Sequence, residues 1–90
     1  AENISSSRIS VFPNPATGNT TITLENIADQ AIEVTLINIL GTEVSKLFNG
    51  TTVSKYQAIS ADLNSLDKGI YFVKVVSNGD VIMTDKLIVD

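Results

Sequence analysis

Ile70-Tyr71-Phe72-Val73-Lys74-Val75-Val76-Ser77-Asn78-Gly79-Asp80-Val81 decides the fold of this chain. Positions 70–77 are apolar in both alternating sets except at Lys74 and the closing Ser77, as expected of a strand with neighbours on both sides. Asn78-Gly79 then gives the strongest hairpin signal in the sequence, because a type I′ turn needs positive φ at both central residues. A two-residue loop forces the following run, Val81 to Val89, to return antiparallel to its predecessor.

Upstream of this hairpin, Asp62-Leu63-Asn64-Ser65-Leu66-Asp67-Lys68-Gly69 is a connecting segment. It has room for a single helical turn but is too short and too punctuated for a stable helix. Val53 to Ser60 reads as a strand whose facing is open, since Tyr56 and Ala58 fall on one side and Gln57 and Ile59 on the other. Glu43 to Phe48 is another, ended by Asn49-Gly50. Ile32 to Ile39 places Ile32, Val34 and Leu36 inward and Glu33 and Thr35 outward, and Gly41 breaks the run. Thr20 to Glu25 alternates cleanly, with Ile22 and Leu24 toward the core and Thr21 and Thr23 toward solvent. Ile9 to Phe12 is the first strand, stopped by Pro13-Asn14-Pro15. The two prolines fix φ, remove two backbone donors and push the residue before each into an extended conformation. The pattern predicts seven strands and no stable helix, with turn signals about every 8–12 residues, which is the signature of a β-sandwich. Residues 1–8 are polar and serine-rich and read as the end of a linker, leaving residues 9–90 as the domain. An opening at Ala1 without methionine reads as a fragment of a longer exported protein whose signal peptide would lie upstream.

Ninety residues allow one domain, and a chain of this size buries roughly 60–65% of its unfolded surface. The 43% hydrophobic content is ample for that core. Cysteine, histidine and tryptophan are absent. Disulfides, thiolate metal sites, histidine general bases, histidine-ligated zinc and tryptophan sugar platforms are thereby excluded. Six basic residues face ten acidic ones, for a net charge of −4, and the basic ones are scattered, so the sequence predicts no nucleic-acid partner. No apolar run reaches the ~18–20 residues of a membrane-spanning helix.

No constellation carries catalysis. Asp62, Asn64 and Asp67 share a loop and offer oxygen ligands for calcium, but Asp and Asn also populate turns because their side chains bond nearby backbone. The spacing lacks the alternation and terminal glutamate of an EF-hand loop. Glu25, Glu33 and Glu43 sit at outward strand positions, where a solvated face explains them without glycosidase chemistry. Ser65-Leu66-Asp67-Lys68 has Ser-x-x-Lys spacing, yet it lies in a turn-rich segment and no Ser-Asp-Asn or Lys-Thr-Gly follows. The glycines are too widely separated to cradle a phosphate. No catalytic residue, metal ligand or cofactor site is therefore assigned. Tyr71 and Phe72 point to opposite faces of their strand, and core or loop packing accounts for both.

Four short stretches remain: Pro13-Asn14-Pro15, the strand ending at Gly41, Gly69-Ile70-Tyr71, and Lys86-Leu87-Ile88-Val89. In this order, over residues 9–90, they resemble the type A C-terminal sorting domain of the type IX secretion system of Bacteroidetes. The residues that carry the resemblance are Pro13, Asn14, Pro15, Gly41, Gly69, Tyr71, Lys86, Leu87, Ile88 and Val89. What the resemblance implies is an all-β, seven-stranded, Ig-like antiparallel sandwich without enzymatic activity or cofactor. Such a domain directs a covalently linked upstream passenger from the periplasm across the outer membrane to the cell surface or exterior. The implied partners are the type IX translocon and its surface sorting peptidase, whose cut would fall within residues 1–8. The passenger would then be released or attached to a surface lipopolysaccharide. Asp85 and Asp90 depart from the pattern, since basic residues are frequent at both places in the family. The residue reading narrows recognition to the Pro13-Asn14-Pro15 bend and the terminal strand, which at a sheet edge would be open to strand addition. The alternative reading is a non-catalytic binding module of a secreted hydrolase, carbohydrate-binding or fibronectin-like. A sandwich fold accommodates either class, and the lack of tryptophan counts against the carbohydrate version.

Overall fold

A computed structural model describes residues 7–90, which form seven strands and no helix. The strands are β1 (Arg8–Phe12), β2 (Asn19–Glu25), β3 (Ala31–Asn38), β4 (Glu43–Thr51), β5 (Tyr56–Asp62), β6 (Gly69–Ser77) and β7 (Asp80–Val89). Residues 1–6, most of the expected linker, lie outside the described residues.

All strand pairings are antiparallel, and they make two sheets, β1-β2-β5 and β4-β3-β6-β7. The fourth strand joins the third rather than crossing to the other sheet, the main difference from an Ig constant-type arrangement. The sheets close along two seams, where β1 lies beside β7 and β4 beside β5. The inward sets of the alternating strands fill the space between: Ile22 and Leu24 from β2, Val34 and Leu36 from β3, Val73 and Val75 from β6, and Leu87 from β7 are all fully buried. The β6–β7 turn forms as its dipeptide predicts, with Ser77 paired to Asp80 and positive φ at both Asn78 (54°) and Gly79 (84°).

Three expectations are corrected. Asn49-Gly50 does not end β4. The strand runs on to Thr51, pairing Ile32 with Gly50 and Ala31 with Thr51, because β3 offers a full-length partner and an edge strand tolerates glycine. Next, β5 begins at Tyr56 rather than Val53, and Ile59 and Ala61 are its inward residues. The delay has a tertiary cause. Thr52 is buried, donates its hydroxyl to the Ile27 carbonyl and accepts from the Gln30 amide at 3.2 Å. Its backbone also exchanges 2.9 Å bonds with Gln30 and Asp29. The chain is thus pinned at Thr52 as it crosses between sheets, and Val53 arches over outside.

The third correction concerns Thr35, expected to face solvent and found 2% exposed. It does lie on the outer face of the four-stranded sheet, but its cross-strand neighbours there are Lys46 and Lys74, side chains long enough to cover a threonine. Its hydroxyl is the one buried side-chain polar atom without a hydrogen-bond partner among the described residues. Burying an unpaired hydroxyl costs about 1–3 kcal/mol, and an apolar group of the same shape removes that cost. Thr35→Val is therefore expected to stabilise the domain by about 1 kcal/mol, read as a higher urea midpoint with unchanged slope. On the same face, Lys46 Nζ meets Glu33 Oε2 at 2.7 Å. The hydrogen bond and charge of Glu33 hold the Lys46 ammonium above its usual pKa, so the pair persists at neutral pH and is lost only as pH rises past that raised value.

Candidate recognition surface

The four sequence motifs, far apart along the chain, meet at one end of the four-stranded sheet. Register brings them there. Asn38 of β3 pairs with Tyr71 of β6, and Tyr71 pairs with Leu87 of β7. One and two steps nearer the end, Ile70 pairs with Ile88 and Gly69 with Val89. The segment after Pro15 adds a further rung, because Ala16 forms a parallel bridge to Val89.

Each motif has a structural task at this end. Asn38 organises the β3–β4 turn: its Oδ1 accepts from the Leu40 amide at 2.9 Å and the Thr42 amide at 3.0 Å, while its carbonyl accepts from Gly41. Gly41 turns the chain at a φ of 84°, where a side chain would be strained. Tyr71 is buried, and its hydroxyl donates to the Asp67 carbonyl at 2.7 Å. A tyrosine near the start of the sixth strand, bonded to backbone just upstream, is the tyrosine corner of Ig-like sandwiches. Leu87 and Val89 enter the core, whereas Lys86 is exposed and Ile88 half-buried on the outer face. Pro13, Asn14 and Pro15 are exposed. Both bonds preceding these prolines are cis. The Pro13 carbonyl accepts from buried Thr20 at 2.7 Å, and Ala16 is buried.

What this end offers a partner is apolar. Ile39 and Leu40, at the tip of the β3–β4 turn, are 70% and 84% exposed, and Ile70 is 44% exposed. A shallow depression of about 350 Å³ lies between the second and third motifs, lined by Asn38, Ile39, Lys68, Gly69, Ile70 and Tyr71. Phe12, immediately before the proline bend, is also largely exposed. A larger hollow of about 440 Å³ opens at the opposite end of the sheet, lined by Ala31, Asn49, Gly50 and Asn78 among others, and holds none of the motif residues.

The Asp62 loop is turn chemistry. Asp62 Oδ1 accepts from Asn64 N at 3.0 Å and from Asn64 Nδ2 at 2.9 Å, an Asx-type turn. From the sequence Ile39 reads as the end of the third strand and Ile70 as part of the Gly69-Ile70-Tyr71 motif; the exposure of Ile39, Leu40 and Ile70 and the turn-holding Asn38 side chain emerge only in the fold. For Ile39 and Leu40 the signal was a pair of aliphatics directly before Gly41.

Residues 10–90 match the family described as Secretion system C-terminal sorting domain. The chain belongs to this family. It is a C-terminal sorting signal for type IX secretion, a class of domain that is not catalytic, carried behind an upstream passenger on a protein bound for the cell surface or exterior. Among curated proteins, none matches this chain in sequence. Among solved structures, the sorting domain is similar to part of an alkylpurine DNA glycosylase, AlkC, of Pseudomonas fluorescens, solved bound to DNA containing an abasic site analog. That similarity has a TM-score of 0.50 at 18% identity and spans 91% of the sorting domain but 29% of the glycosylase. It concerns the fold alone.

Proposed function

We propose that the end of the four-stranded sheet where the motifs meet is the surface by which the type IX translocon recognises the folded domain. Pro13, Asn14, Pro15, Gly41, Gly69, Tyr71, Lys86, Leu87, Ile88 and Val89 build it, and Ile39, Leu40 and Ile70 supply its exposed apolar contacts. The observation that carries this reading is the convergence itself: four separated sequence motifs share one end of the sandwich, where aliphatic side chains stand in solvent. Contiguous exposed apolar surface of this kind marks interaction sites. In this reading the domain crosses the periplasm ahead of outer-membrane passage, the residues that precede β1 serve as linker to the passenger, and the surface sorting peptidase cuts within that linker.

Fusing residues 1–90 behind a periplasmic reporter in a type IX-competent host tests the proposal. Reporter activity is expected in the medium or on the cell surface, with a shorter reporter band that lacks the domain. Retention in the periplasm with the domain folded and protease-resistant would sink it.

A further inference from the structure

We propose that Pro13–Ala16 is a built-in edge strand that denies the C-terminal half of β7 to strand addition, so that a partner must engage this end through side chains. The partner half of the inference rests on the function proposed above; the edge half stands on the geometry alone.

β7 is an edge strand of its sheet, and an edge normally presents a row of unpaired N–H and C=O groups to any passing strand. In an antiparallel ladder alternate residues turn both groups outward. Along the end of β7 these belong to Lys86 and Ile88, followed by the amide of Asp90, and all five groups are taken. The Lys86 amide donates to Asp85 Oδ1 at 2.9 Å. The Lys86 carbonyl accepts from Asn14 Nδ2 at 2.7 Å, and the Ile88 amide donates to Asn14 Oδ1 at 3.0 Å. The Ile88 carbonyl accepts from the Ala16 amide, and the Asp90 amide donates to the Ala16 carbonyl, both at 2.8 Å.

Asn14 thus acts as a stand-in peptide unit, its side-chain amide offering the donor and acceptor that a neighbouring strand would offer. The segment is anchored on both sides, by Thr20 on the Pro13 carbonyl and by Ala16 in the core. It is also a poor template for a further strand, because prolines 13 and 15 have no N–H to give. The sheet therefore ends here rather than passing its edge outward. The upstream half of β7 has a different protection, a register shift opposite Val75 and Val76 that breaks the regular ladder.

Amide hydrogen exchange on the intact chain tests the edge assignment without any substitution. The Ile88 and Asp90 amides are expected to exchange at least about tenfold more slowly than that of Thr84, the outward position two residues before Lys86. In Asn14→Ala the Ile88 amide should speed up by a similar factor, while the Leu87 and Val89 amides, turned toward β6, keep their protection. Equal rates at Ile88 and Thr84 in the unsubstituted chain would overturn the assignment, whether or not Asn14→Ala folds. For the partner half, the cysteine-free sequence permits Ala16→Cys with Val89→Cys, which ties the segment to β7 at their bridge. Fused to the periplasmic reporter, the cross-linked species should be exported as well as the same double-cysteine fusion kept reduced. Export that is lost on cross-linking and restored by a reductant would show that the edge must open, and would overturn the inference. An unsubstituted fusion that stays in the periplasm overturns the proposed function and the partner half together; exchange then decides the edge half by itself.

Discussion

Truncating Leu87 to alanine is expected to lower the unfolding free energy by about 2–5 kcal/mol, the range for buried leucines whose site cannot fully collapse. Leu87 is fully buried and pairs with Tyr71, so the cavity would open beneath the tyrosine corner and between the two sheets. A domain of this size is stable by roughly 5–10 kcal/mol, and here no disulfide supplements the core. The change would consume a large share of that margin and lower the melting temperature by about 10 °C or more. Urea unfolding of both proteins measures it. The result bears on function because Leu87 belongs to the tail that carries the family resemblance. If its part is in the core, export of Leu87→Ala should fall with the folded fraction and recover at lower temperature. A loss of export with stability intact would instead make Leu87 a contact residue and contradict its burial.

What the sequence made legible was local. The β6–β7 hairpin could be read because Asn78 and Gly79 carry their turn preference in their own backbones, and β2 because Ile22 and Leu24 alternate with threonines. The errors arose where distant residues overrule a local signal. Asn49-Gly50 looks like a turn until Ala31 and Ile32 pair with its strand. Val53 looks like the start of β5 until Thr52 is tied to Ile27 and Gln30, more than twenty residues upstream. Thr35 occupies an outward position in a correctly read strand, and only the register reveals the two lysines beside it.

The proposed recognition surface follows the same division. Its motifs were legible as residues, and the prolines and glycines as breaks. Their meeting was not, because it depends on a four-stranded sheet in which β3, β6 and β7 align their ends. Asn14 shows the difference most sharply. Between two prolines it reads as part of a rigid bend, while its side chain completes the edge of a strand 72 residues downstream. The expectation of an open terminal strand followed from that strand's position in the sequence, and the hydrogen bonds of Asn14 and Ala16 occupy the place a partner strand would take.

Leu40→Asp combined with Ile39→Ser is expected to do the opposite of Leu87→Ala: leave the fold intact and reduce export at least about tenfold. Stability should change by no more than about 0.5 kcal/mol per site, as for other exposed positions. At 84% and 70% exposure these side chains contribute little to the core, and the turn beneath them is held by Asn38 through backbone amides that both substitutions retain. On the function proposed above, these two exposed aliphatics are contacts that a partner desolvates. If the translocon does so, they sit where a few contacts dominate binding, and a loss of about 1.4 kcal/mol or more corresponds to at least a tenfold drop in affinity. Matched unfolding curves, with secreted reporter measured against total reporter, separate the two effects. Undiminished export would remove the β3–β4 turn from the recognition surface and leave the depression around Ile70 and the proline bend to account for it. The contrast with Leu87→Ala is the stronger test, since a nonspecific requirement for a folded domain predicts that export follows stability in both proteins, whereas recognition at this end predicts that only the Leu40 and Ile39 pair breaks the correlation.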